Sequence, residues 1–301
     1  MLMTYGWFTM NKIVEINDTE MTAVNGKFEL AAADKSGLYD KYLNASDGTK
    51  LTDIIVDGGT TPTTLSATGD GKTEIKWLMS NESNFGNVTG DGIQPGSSGK
   101  LTFYVIAKQN TDLNLTFSLD TILYNNNAEP INETNTDNSD CIIDPDSSEA
   151  KLVKGHILFF EQKNGDIYSK RITDSFNYSI TNAQENTAYK VDIYWIWPEV
   201  IDQLVLPQND GLFSGKGYNR IIENNDSIIS ESDYSYYFVE EIDNLSAMLE
   251  NMSKGSVDIA FSNDYYTVLN TAWNTADQKI GTTVAYIQLS LTADETVGQS
   301  Q

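Results

Sequence analysis

The sequence predicts a mainly β fold, an antiparallel β-sandwich with loop and helical insertions, and three patterns predict it. Leu113, Leu115, Phe117 and Leu119 alternate with Asn114, Thr116, Ser118 and Asp120, the period-two face of a half-buried strand. Two strand patterns, 157–161 and 167–172, flank Asn164-Gly165, the strongest short hairpin signal. Runs rich in Gly, Thr, Ser and Asn at 58–71 and 87–99 separate further short apolar runs, as turns do in an all-β chain.

Taken in chain order, the first strand pattern spans residues 5–16. Phe8, Met10, Val14 and Ile16 share one of its faces, and it shows no local hairpin partner, so it is expected to need a sheet elsewhere. Residues 21–33 follow, with Phe28 and Leu30 alternating against Lys27 and Glu29. Residues 74–79 and 100–107 read as strands, the latter with Leu101, Phe103 and Val105 opposite Thr102, Tyr104 and Ile106. The acidic, Asn-rich run 125–149 has no periodicity and reads as an exposed insertion loop. Residues 188–197 form a strand pattern stopped by Pro198. Phe238, Ile242, Leu245 and Leu249 follow helical spacing, which predicts the one substantial helix over 233–254; residues 264–277 read as a second helical piece. The last strand is expected over 282–292, with Val284, Tyr286, Gln288 and Ser290 on one face and Ala285, Ile287, Leu289 and Leu291 on the other. The expected organisation is an N-terminal strand at 1–16, then a sandwich over 17–301 with insertions at about 125–150 and 206–277.

Composition narrows the function classes. The 301 residues carry 43 Asp and Glu against 19 Lys and Arg, a net charge of −24. Such a surface repels nucleic acid and anionic lipid and suits a protein that stays soluble outside cells. No run approaches the roughly 18 apolar residues of a membrane span, so none is expected. Met1-Leu2-Met3 before Thr4-Tyr5-Gly6 reads as the stub of a leader, and the polar C-terminus carries no sorting signal. The one cysteine, Cys141, lies among acids, which hold a thiol protonated and inert. The one histidine, His156, is expected to be structural, and thiol, serine or zinc chemistry of the usual kind lacks its partners. Asp137, Asp140, Asp144 and Asp146 offer oxygen ligands of the kind Ca²⁺ takes, but their spacing fits no EF-hand and a solvated acidic loop is the expected reading. No other cofactor is expected, and no catalytic residue is assigned. Trp195 and Trp197 share a strand face with Ile193; such a face either stacks on a ligand such as a sugar or fills a core.

Tyr5-Gly6-Trp7-Phe8-Thr9-Met10-Asn11-Lys12 resembles the start of mature TasA/camelysin-type proteins, where a SipW-type peptidase cuts after a small residue before an aromatic pair. Gly6 stands where Ala is usual, and Trp7-Phe8 is the pair. Residues 93–104, 154–160, 191–198 and 277–281 are similar, in the same order, to surface members of that family in Firmicutes. This chain is larger than TasA and has no HExxH, so no protease is expected. The resemblance implies a jelly-roll sandwich, secretion to the cell surface, and a homopolymeric filament of the biofilm matrix with accessory matrix proteins as further partners. It implies donor-strand exchange, with Trp7, Phe8, Met10, Val14 and Ile16 as the self-assembly strand. The alternative is a monomeric surface adhesin or carbohydrate-binding module that uses Trp195, Trp197 or the loops.

Overall fold

The computed structural model describes residues 14–16, 19–21, 26–32, 40–42, 50–67, 74–81, 92–128, 139–206, 220–223, 231–253 and 264–296. The chain is mainly β and forms a β-sandwich. Strands are numbered in chain order. One sheet runs β13 (Ser175–Ala183), β10 (Thr111–Asn125), β15 (Val284–Glu295), β7 (Glu74–Asn81) and β4 (Asp40–Tyr42), with β8 (Gly92–Ile93) parallel to β7. The other runs β12 (Ile167–Ile172), β11 (Leu158–Asn164), β14 (Thr187–Ile196), β5 (Lys50–Val56), β6 (Pro62–Ala67), β3 (Phe28–Ala32) and β9 (Ser98–Ala107).

The second sheet curls on itself, because β9 pairs with β14 as well as with β3. Five strands therefore close into a ring, and β9 needs apolar residues on both faces. Ile106 and Tyr104 pack inside the ring with Ala31, Ile54, Leu65 and Ala188. Leu101, Phe103 and Val105 point the other way, into the main core between the sheets. There the Phe103 ring meets Phe117 of β10 edge-on, with centroids 5.1 Å apart, and Trp77 of β7 at 6.2 Å.

The hairpin at 164–167 forms as the sequence indicates. Asn164 pairs with Ile167, so the turn residues are Gly165 and Asp166, and Gly165 takes φ +58°, which glycine adopts without a Cβ penalty. The last strand differs in one respect. A register shift opposite Tyr124 and Asn125 leaves Ala285 as a bulge. The bulge flips the alternation, so Val284 shares the main core with Ile287 and Leu289, while Ala285 and Tyr286 line a smaller cluster on the opposite face.

The helix expected over 233–254 is broken. A 3-10 turn covers Glu231–Tyr236, and a helix begins only at Leu245, after Asn244 adopts a left-handed φ of +60°. The substantial helix is Asp264–Thr283, 20 residues long. Its buried stripe, Leu269, Trp273, Ala276 and Ile280, follows the 3.6-residue period. With helix α2 (Asp202–Val205), residues 220–223 and the turn at Tyr237-Phe238 it builds a second core against the back of β11 and β14. The run read as an exposed loop is partly structured. Ile143 packs on the main core and its N–H donates to Leu123 O at 2.8 Å, just before helix α1 (Ser148–His156), which Ser147 caps by accepting from Ala150 N–H. Among the described residues no helix is long and apolar enough to cross a membrane.

Gly155 marks the tightest seam. A Cβ there would collide with the backbone carbonyl of Tyr236, which cannot swing away as a side chain would. Gly155→Ala is therefore expected to cost about 3 kcal/mol, the upper end of the overpacking range, as read by denaturant titration of variant and parent.

Candidate functional site

A groove of about 640 Å³ opens between the two sheets, beside β10. Its apolar walls come from Leu119 and Leu123 of β10, Val153 and Ile157 around α1, Phe159 of β11 and Ile172 of β12. Lys154, Arg171, Asp120 and Asp174 lie along it.

The groove exists because β13 stops short of the end of β10. Pairing between them ends at Ser118 with Ser175, after which Leu119 N–H still reaches Asp174 O at 2.8 Å. The chain covers β10 again only where Leu123 O accepts from Ile143. Strand alternation turns the N–H and C=O of Thr121 to that same side. Among the described residues neither has a backbone partner there. An apolar groove floored by such an edge fits an extended peptide, whose backbone would pair with Thr121 and whose alternate side chains would enter the groove. Arg171 adds a cation with spare capacity. Its Nε is buried without a partner, and its other nitrogens make only 3.4 Å contacts, to Tyr237 Oη and Lys154 O.

The residues singled out for assembly fall on and beyond the edge of what is described. Trp7, Phe8 and Met10 lie outside the described residues. Val14 and Ile16 belong to β1 (Val14–Ile16), and the expectation that this strand lacks a local partner is corrected. It pairs antiparallel with β2 (Thr19–Met21), Val14 opposite Met21 and Ile16 opposite Thr19, in a sheet separate from the other two. The signal was in the sequence: Asn17-Asp18 is a turn dipeptide between two strand-forming triplets.

Trp195 and Trp197 are corrected as ligand-stacking candidates. Both are 1% exposed and belong to the main core, so neither offers a ring face to a ligand. Trp197 instead donates from Nε1 to Asp277 Oδ1 at 2.7 Å. The same oxygen lies 2.7 Å from His156 Nδ1, and His156 Nε2 lies 3.0 Å from Tyr237 O. Both ring nitrogens face acceptors, so the imidazole is fully satisfied only when both carry protons. The ring is fully buried and stacks on Trp273 at 3.7 Å. A base this enclosed has no free lone pair for a substrate; it is a joint between α1, β14 and the long helix. Among the described residues no three His, Cys, Asp or Glu side chains could together hold a metal ion. Asp140, Asp144 and Asp146 are therefore not brought together as a calcium site, and Asp137 lies outside the described residues.

His156→Ala would leave the Asp277 carboxylate buried with Trp197 as its one remaining donor. It is expected to destabilise the fold by about 3–5 kcal/mol, and Trp197→Phe by about 1–3 kcal/mol. Chemical unfolding of each variant and of the double variant checks both numbers, and a shared acceptor requires the two losses to be non-additive.

No protein-family model, no curated protein and no solved structure matches this chain.

Proposed function

We propose that this chain is a structural subunit of an extracellular surface or biofilm-matrix filament, in which the N-terminal strand of one copy enters the groove beside β10 of the next. The observation that carries the reading is the backbone of Thr121, unpaired on the groove side among the described residues, beside apolar walls. An open edge of this kind is a template for a further strand, and soluble proteins normally cover it.

The pairing found for the N-terminus fits the same reading. β1 and β2 are three residues each and form a sheet of their own. An isolated two-stranded hairpin is marginal in water, so giving it up costs little. Burying Phe8, Met10, Val14 and Ile16 in a groove would contribute roughly 6–10 kcal/mol before ordering costs. Head-to-tail pairing does not close on itself and therefore propagates. Secretion, a jelly-roll connectivity for the sandwich, and accessory matrix proteins belong to the same proposal and rest on the resemblance to the TasA/camelysin family. The carbohydrate-binding alternative cannot use Trp195 and Trp197, which are buried, and would have to rest on the loops.

Deleting residues 1–16 is expected to leave a folded monomer, seen by circular dichroism and light scattering, that forms no filaments under negative-stain microscopy. Thr121→Pro should act on the other partner. It removes the Thr121 N–H from the groove side without taking a bond from the β15 ladder, so the chain should fold yet accept a strand poorly. Filaments of parental length from the truncated chain would sink the donor-strand reading.

A further inference from the structure

Helix α2 and the long helix meet through two buried side chains, Asp202 and Asn270, exposed 0% and 8%. Asn270 Nδ2 donates to Asp202 Oδ1 at 3.3 Å and to Tyr266 O at 3.1 Å. Two atoms of the pair are left over: Asp202 Oδ2 and Asn270 Oδ1 are both buried and, among the described residues, both without a hydrogen-bond partner. As a carboxylate and an amide these are two acceptors, and neither can serve the other. With one proton on Oδ2 they would become donor and acceptor, and the pair could close as a two-bond acid–amide ring.

We propose that Asp202 is held as the neutral acid in the folded chain and that its proton locks helix α2 to the long helix, making the packing of the helical layer on the sandwich sensitive to mildly acidic pH. Among the described residues no cation pairs with Asp202. Arg220 binds at the other end of the same short helix, on the carbonyls of Val205, Leu206, Ile222 and Glu223. The His156–Asp277 pair sits two turns further along the long helix, where both His156 nitrogens are engaged by Asp277 and Tyr237 O. From the helix Leu245–Ser253, the residues buried in this core are Leu245 and Met252, both apolar. Trp273 and Tyr266, on the long helix, bring no charge. Burial pushes the Asp202 carboxyl up to about 6, the Asn270 bond pulling it slightly the other way.

The sign follows. A carboxyl whose folded value lies above its unfolded value binds its proton more tightly when folded. Its stabilisation is complete below the unfolded value of about 4 and is lost as pH rises through about 6. Because 43 carboxylates titrate nearby in pH, the test is a difference. Asp202→Asn carries a permanent donor toward Asn270 Oδ1, so it should unfold above the parental midpoint at pH 7, and the gap should vanish by pH 4. A direct reading on the unaltered chain accompanies it. The ¹³C shift of the Asp202 carboxyl should titrate near pH 6, and Asn270→Leu should move that transition. Titration in the ordinary range near 4, or parallel pH profiles for parent and Asp202→Asn, would overturn the proposal. If Asp202→Asn does not fold, the carboxyl shift decides alone.

Discussion

Asp277 Oδ1 takes a hydrogen bond from Trp197 and another from His156 in a place almost closed to water, and the arrangement of the chain turns on that one oxygen. Trp197 directly follows β14, the strand that the curled sheet shares between its ring and the main core. His156 ends α1 and rests flat on Trp273. Asp277 lies on the long helix between Trp273, which faces the second core, and Ile280, which faces the first. The cluster thus fixes the height and rotation of the long helix where the two cores meet. Apolar packing alone sets no such register, since it is non-directional. A buried charge with directed donors does, at the cost of desolvating it.

The same arrangement explains why a groove is left open. The helical layer covers the back of β11 and β14, while α1 crosses beside the end of β10 and presents Val153 and Ile157 to it. β13 cannot continue along β10, because the chain turns at Thr173-Asp174 to enter it from β12. The result is a strand edge with apolar walls on both sides and an under-used guanidinium close by. In a compact domain such an edge is normally paired or covered. β13, β4 and β12 also end their sheets, so what gives the groove its weight is the apolar lining beside the open stretch of β10.

Much of this was legible in the sequence where one rule acts alone. β10 shows a clean alternation because one face meets the core and the other meets water. The 164–167 hairpin announces itself by its glycine. Legibility fails where two constraints compete. Both faces of β9 and β14 are covered in part, so their alternation blurs and the ring is invisible from pattern alone. A bulge at Ala285 reverses the faces of β15, and no residue type marks it. The apolar spacing of Phe238, Ile242, Leu245 and Leu249 is helical, yet Asn244 turns left-handed within it and breaks the run. Trp195 and Trp197 looked equally suited to a ligand and a core, and only burial separates these. The Thr121 edge could not have been read at all, since it depends on where a different strand ends.

The charge of the chain adds a constraint on any assembly it makes. At −24, two copies repel over roughly a Debye length, about 8 Å at physiological ionic strength. Attraction between copies must then be short-ranged and local. Backbone hydrogen bonds to a strand edge and apolar burial in a groove are both of that kind. At the groove Lys154 and Arg171 offset Asp120 and Asp174, so an incoming segment would dock where the lining charges balance rather than against net negative charge. Repulsion everywhere else then works in favour of order. Side-by-side and random contacts between acidic surfaces are disfavoured, and the one contact that survives is the one with a defined direction along the chain. On the filament reading, the acidity is thus what keeps a sticky edge specific, and salt should matter more for how fast copies meet than for how firmly the inserted strand is held.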